Sequence, residues 1–263
     1  MPPAPPLITL LTDFGTRDSF VASMKGVILA INPSVHLVDL SHDIPPHAIR
    51  EAAYCLNGCY KTFPEGTVHV AVVDPGVGST RRPLVVKTTR YFFVAPDNGV
   101  LTPILDAGSD VNIRLLDNPR YRLESPGSTF HGRDLFAPAA AWLTTGVAWT
   151  SFGPAVSDPV RLDWPTPVCQ GAVIRGEVVH IDRFGNLISN IEGHRISSRP
   201  LERVRVTVSG RAIGTLVSHY AAANSGIPQA LINSHGMLEV FVREQPACDV
   251  LKAGIGAVIE VLG

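Results

Sequence analysis

The sequence predicts an α/β chain followed by a smaller all-β domain. Three observations carry this. Apolar runs alternate with amphipathic stretches over the first part of the chain. The style changes at Trp164-Pro165-Thr166-Pro167. Beyond it come short β-rich runs, several separated by glycine turns, with no convincing long helix.

Leu7–Leu11 reads as a strand. Ser19–Ile31 reads as a helix, with Asp18 or Ser19 as N-cap and Asn32-Pro33 ending it. His36–Leu40 is a second strand. His47–Tyr60 is a second helix, introduced by Pro45-Pro46, and Val68–Val73 is a third strand. This β-α-β-α-β order predicts a Rossmann-like, mostly parallel sheet with flanking helices. Leu84–Thr88 and Tyr91–Ala95 are close enough to form a hairpin, and Asp134–Thr144 reads as another helix. Ala172–Ile181, Asn186–Ile191, Val204–Ser209, Ala212–Val217, Leu238–Val242 and Ala257–Leu262 read as strands of a barrel or sandwich. The expected division is a proline-rich tail over 1–6, extended or disordered, an α/β domain over 7–165, and a β domain over 166–263.

Composition narrows the function classes. The 263 residues are 45% apolar, enough for a substantial core, and the net charge is -1. No Lys/Arg block is present, so neither nucleic acid nor an anionic membrane is an expected partner. No apolar run reaches bilayer length. The start, Met1-Pro2-Pro3-Ala4-Pro5-Pro6, differs from a basic signal peptide, and cytoplasmic residence is expected. Cys55, Cys59, Cys169 and Cys248 match neither a disulfide framework nor a CxxC zinc knuckle, and read as small buried thiols.

The most informative stretch is Val70-Ala71-Val72-Val73-Asp74-Pro75-Gly76-Val77-Gly78-Ser79-Thr80-Arg81-Arg82. A buried strand ends in a carboxylate, at the sheet edge where open α/β sheets place ligands. The turn lets Arg81 fold back onto Asp74. Such a pair is either a turn-stabilising ion pair or a polarised acceptor aimed at water. Gly76-Val77-Gly78 is not the dinucleotide fingerprint, because Arg81 stands at the third glycine position.

Four further constellations stand out. Asp13, in Thr12-Asp13-Phe14-Gly15 after the first strand, can accept two hydrogen bonds from a vicinal diol or cap the following helix. His131, in Thr129-Phe130-His131-Gly132-Arg133-Asp134, lies at a helix entry, where Gly132 permits close approach of a substrate. Arg133 and Asp134 read as a local salt bridge and cap. Pro96-Asp97-Asn98-Gly99 is a turn signal, with Asn98 near the site. In His180-Ile181-Asp182-Arg183-Phe184-Gly185-Asn186, Asp182 offers acceptors for an ammonium and Asn186 donors for a carboxylate; the alternative is a β-turn with a packed Phe184. Asn233-Ser234-His235-Gly236 is a similar polar turn. Asp13, His42, Asp43, Asp74 and His131 are scattered without HExxH spacing, so no metal site is expected.

Together these motifs make the chain resemble the S-adenosyl-L-methionine (SAM) hydroxide adenosyltransferases, the adenosyl-forming SAM hydrolases, relatives of the bacterial fluorinase and chlorinase. The resemblance runs from Thr12-Asp13-Phe14-Gly15 through Met24-Lys25-Gly26 to Asn233-Ser234, across both domains. It implies an N-terminal α/β domain, a C-terminal β-barrel, and a homotrimer with sites between the N-domain of one subunit and the C-domain of the next. It implies SAM plus water giving adenosine and L-methionine, with SAM as substrate and no cofactor. It assigns the catalytic triad to Asp74, Arg81 and His131 and the ribose diol to Asp13. Asp182, Asn186 and Ser234 match residues at the methionine end; Phe184 and Tyr220 are aromatic packing candidates. His235 departs from the commoner residue after the serine.

Two rivals remain. A halogenase must admit an anion, and by resemblance carries a tyrosine where this chain has Asp74; the fluorinase also has a serine where this chain has Gly132. At about 4 Å two like unit charges cost roughly 4 kcal/mol at an effective dielectric of 20, which sets Asp74 against halide. The other rival is a SAM- or adenosine-binding regulator without turnover, disfavoured by the presence of all three triad residues.

Overall fold

The computed structural model describes residues 5–108, 110–124, 127–196 and 204–263. Most of the expected proline tail lies outside them. The chain divides into two compact units, one ending at Leu162 and the other beginning at Asp163.

The first unit holds β1 (Leu7–Thr12), α1 (Phe20–Ile31), β2 (His36–Ser41), α2 (Ile49–Cys59), β3 (Val68–Val72), β4 (Pro83–Lys87), β5 (Phe92–Pro96), α3 (Thr102–Ala107), β6 (Asn112–Leu115) and α4 (Ala137–Leu143). Its six-stranded sheet runs β2-β1-β3-β5-β4-β6. The pairs from β2 to β5 are parallel, whereas β4 is antiparallel to both β5 and β6, so the sheet is mixed. The hairpin expectation holds for β4 and β5.

Strand residues alternate between two cores, as the period of two requires. Ile8, Leu10, Val70 and Val72 pack with Met24 and Ile28 of α1 and with Ala137, Ala140 and Ala141 of α4. Leu11, Ala71, Val73 and Phe93 pack with Ala52 and Leu56 of α2 and Ile104 and Leu105 of α3. Burial on both faces explains the unbroken apolar run of β3.

α1 starts where expected, with Ser19 at its cap position, though no side-chain cap bond forms. The later helix starts depart from expectation. α2 begins at Ile49, because His47 adopts a left-handed φ of 67° while donating its N–H to Asp13 Oδ2 at 2.9 Å. The helix expected from Asp134 is a π-helical turn over Gly132–Phe136 leading into α4. Pro138 has no N–H to return to the Asp134 carbonyl, and that carbonyl accepts the Leu123 N–H at 3.0 Å instead.

The second unit holds β7 (Val168–Gln170), β8 (Val173–Ile181), β9 (Leu187–Glu192), β10 (Arg205–Val208), β11 (Arg211–Ala212), β12 (Pro228–Ile232), β13 (Met237–Val242), α5 (Ala247–Leu251) and β14 (Val258–Leu262). The antiparallel order is β11-β10-β14-β8-β9-β13-β12, with β7 also on β8. The first half of β8 pairs β14 and its second half pairs β9, which curls the sheet around Ile174, Val178, Leu187, Val206, Leu238, Val240 and Ile259. Among the described residues no ladder joins β11 to β12. The strand expected over Ala212–Val217 is only Arg211–Ala212. Gly214 then donates its N–H to Pro228 O, and Leu216 makes a single bridge to Ala230.

The cysteines are free thiols, but not the buried ones expected. Cys169 is exposed on β7, and Cys55, Cys59 and Cys248 are half-buried. No helix is long and apolar enough to cross a membrane among the described residues.

Candidate active site

The site in the first unit begins where β3 ends. Asp74 follows Val73 at the C-terminal edge of the sheet, and the chain then folds back through a tight loop. Val77 N–H bonds to Asp74 O at 3.2 Å, Ser79 N–H to Gly76 O at 3.1 Å, and Ser79 Oγ accepts the Arg81 N–H at 3.2 Å. Gly78 makes the loop possible. Its φ is 79°, and a Cβ there would lie 2.6 Å from the Ser128 carbonyl. This close approach brings the loop against the segment that carries His131.

Arg81 consequently forks onto Asp74. Its Nε donates to Oδ1 at 3.0 Å and Oδ2 at 2.9 Å, and Nη2 also donates to Oδ2. The two side chains are only 4% and 9% exposed. The guanidinium lies 5.2 Å from the Phe136 ring centre, a cation–π contact from the π-helical turn. Arg81 Nη2 is also 2.6 Å from His131 Nδ1. A guanidinium only donates, so Nδ1 is the acceptor and a neutral imidazole carries its proton on Nε2. Burial, then the Arg81 charge, pushes the His131 pKa below its ordinary value.

The arrangement is braced from behind. Asn98 Nδ2 donates to the Val73 carbonyl at 2.8 Å, holding the peptide just before Asp74. Arg82 turns away from the site and donates to Asp97 Oδ2 at 2.8 Å and to Asp158. Arg133 and Asp134 form the expected local pair at 2.6 Å.

Asp74 and His131 line a cavity of about 120 Å³ with Val72, Val77, Thr129, Gly132 and three phenylalanines. The rings of Phe14, Phe20 and Phe130 touch one another, with centroids 5.2 to 5.8 Å apart. This aromatic wall escaped the sequence reading. Its only signal was the phenylalanines beside the quoted Asp13 and His131 motifs. Gly132 is enclosed by it: a Cβ would meet Phe130, Met24 and Phe14 at 3.1, 3.2 and 3.3 Å.

Asp13 is not among that cavity's lining residues; one of its oxygens already accepts the His47 N–H. Among the scattered metal candidates, His42 Nδ1 is 2.8 Å from Thr12 Oγ1 and Nε2 is 3.1 Å from Asp39. Among the described residues no group of three or more His, Cys, Asp or Glu side chains is placed to hold a metal ion.

The second unit has its own cavity, about 600 Å³, lined by Asp182, Phe184, Asn186, Tyr220 and the segment Phe241–Pro246. Asp182 and Asn186 are hydrogen-bonded to each other. Asp182 Oδ1 accepts the backbone N–H of Phe184 and of Asn186, and Oδ2 accepts Asn186 Nδ2 at 2.9 Å. Phe184 is 76% exposed, so the packed-Phe alternative does not describe it. Tyr220 donates to Glu239 Oε1 at 2.7 Å. Ser234 sits on the exposed turn between β12 and β13, outside the cavity lining.

Residues 8–153 match the family described as SAM hydroxide adenosyltransferase N-terminal domain, and 176–260 match its C-terminal domain. A (R)-S-adenosyl-L-methionine hydrolase from Thermus thermophilus is 36% identical over 97% of this chain and 99% of its own length. A fluorinase from an Actinoplanes species is 29% identical over 95% of this chain and 96% of its own length. The solved structure of an uncharacterized conserved protein from Thermotoga maritima superposes with a TM-score of 0.92 at 34% identity, covering 97% of this chain and all of that one.

Proposed function

The chain belongs to the SAM hydroxide adenosyltransferase family, and from that premise we propose that it hydrolyses SAM to adenosine and L-methionine by in-line attack of water, or hydroxide, on ribose C5′. The observation that carries this reading is the contact of Arg81 with both Asp74 and His131.

The division of labour follows from proton inventory. The sulfonium leaves as a neutral thioether, so no general acid is needed. The enzyme must orient a nucleophile and take up its proton. His131, with Nδ1 bonded to Arg81, offers Nε2–H and can only donate to the water oxygen. Asp74 is then the acceptor: its Oδ1 takes only the Arg81 Nε bond and keeps lone-pair capacity for the water. Arg81 aligns both. A proton relay through His131 Nδ1 is disfavoured, because that lone pair faces a guanidinium.

Hydrolysis is favoured over halogenation because a carboxylate beside the nucleophile position repels halide by roughly 4 kcal/mol at about 4 Å and an effective dielectric of 20. The proposal retains Asp13 for the ribose diol and Asp182, Asn186, Ser234, Phe184 and Tyr220 for the rest of the substrate. It further includes a Rossmann-like first unit, a barrel-like second unit, a homotrimer that completes each site from neighbouring subunits, cytoplasmic residence, and no cofactor or metal. Light scattering tests the trimer.

Incubation with SAM in ¹⁸O-water tests the reaction. Adenosine bearing ¹⁸O at its 5′ position is expected, with an equivalent of methionine. SAM binding without product would instead establish a non-catalytic regulator, and 5′-chloro-5′-deoxyadenosine forming in chloride as fast as adenosine would establish a halogenase.

A further inference from the structure

Glu239 lies in the middle of β13 and is only 3% exposed, a carboxylate inside an otherwise apolar strand run. Its carboxylate oxygens accept from two neutral donors. Oε1 accepts the Tyr220 hydroxyl at 2.7 Å, and Oε2 accepts Asn233 Nδ2 at 3.2 Å. A buried carboxylate is costly unless its bonds repay the lost hydration, and the short Tyr220 bond is the stronger of the two.

One donor belongs to the second-unit cavity and the other to the β12–β13 turn. Tyr220 lines the cavity, packed edge-on against Phe241 at 4.9 Å between ring centres. Asn233 organises the adjacent turn: its Oδ1 accepts the N–H of His235 and of Met237, at 3.0 and 3.1 Å, which shapes the loop bearing Ser234. One buried group thus ties the aromatic cavity wall to the polar turn.

We infer that Glu239 is a positioning residue for substrate binding, acting through Tyr220 and the Asn233 turn. With its proton committed to Glu239, the phenol oxygen has only acceptor capacity left. It therefore suits an N–H donor, an ammonium or exocyclic amine, and disfavours a carboxylate. Burial and the Glu239 bond both push the Tyr220 pKa upward, so the phenol stays protonated and the direction of the bond is kept. The inference rests on SAM being the substrate.

The test is a double-mutant cycle of Glu239→Gln and Tyr220→Phe, reading KM and kcat for SAM, SAM affinity by calorimetry, and thermal stability. Each single variant is expected to raise KM about tenfold with kcat within about twofold, and the double variant to be no worse than the weaker single. Unchanged KM, a loss in kcat alone, or fully additive losses would overturn it. Should Glu239→Gln melt far below wild type, the half-exposed Tyr220→Phe decides: unchanged affinity there overturns the inference. A wild-type protein that binds SAM without turning it over would sink the hydrolase reading alone, and the calorimetric cycle still decides this one. A wild type that does not bind SAM overturns both.

Discussion

His131 Nδ1 accepts a hydrogen bond from Arg81 Nη2 at 2.6 Å, across fifty residues of sequence. That one bond sets the imidazole tautomer and joins the π-helical turn to the strand-end carboxylate.

Protonating His131 would put two donors face to face, so the neutral form is the working one. Its pKa is lowered by burial and by Arg81. Activity is therefore expected to be flat through neutrality and to fall only below the ordinary imidazole value of about 6.5. The pH profile of kcat/KM checks this. A rate that climbs as pH drops from 6.5 to 5 would mean the imidazolium is the active form.

Asp74→Asn leaves the shape of the site but removes the anionic acceptor. A loss in kcat of about 10²–10⁴ is expected, with a smaller change in SAM affinity. The Arg81 guanidinium then loses its buried partner charge, and a stability loss of about 3–5 kcal/mol should appear in denaturant melts. Turnover within a few-fold of wild type would remove Asp74 from the chemistry.

Asn98→Ala frees the Val73 carbonyl, and with it the peptide that aims Asp74. The expected stability cost is about 1 kcal/mol. The expected kinetic effect is larger, a roughly tenfold fall in kcat at similar KM, because small misplacement of a reacting group is costly. Steady-state kinetics beside melting curves separate the two; a stability loss without a kcat loss would confine Asn98 to the turn.

His69 reports on the core and not on catalysis. Its Nδ1 is 2.8 Å from Thr9 Oγ1, it stacks on Phe93, and burial pushes its pKa down to about 4. The folded state then binds fewer protons than the unfolded chain between pH 6.5 and 4, so stability is present above 6.5 and is lost as pH falls through that window. The loss is about 3 kcal/mol at 1.36 kcal/mol per pKa unit. Urea melts at pH 7 and pH 4 measure it. In His69→Phe that share of the pH dependence should vanish, and a variant as acid-sensitive as wild type would place the effect elsewhere.

What the sequence determined by itself was local. The alternation of apolar runs and amphipathic stretches specified β1, α1, β2, α2 and β3. The glycine-rich turn after Val73 let Asp74 and Arg81, seven residues apart, be read as a pair. Short elements with no strong period escaped: α3, β6, β7, α5, and β12 with its leading Pro228. Only the tertiary structure decided that β5 lies between β3 and β4, which carries Asn98 to Val73. It decided too that Asp182 is tied to its own loop and to Asn186, and that Glu239 holds Tyr220. The physical reason is range. Periodicity and turn chemistry act over a few residues and are written in adjacent letters. A buried hydrogen bond between distant strands exists only after packing has excluded water, and its direction depends on neighbours that no short window contains.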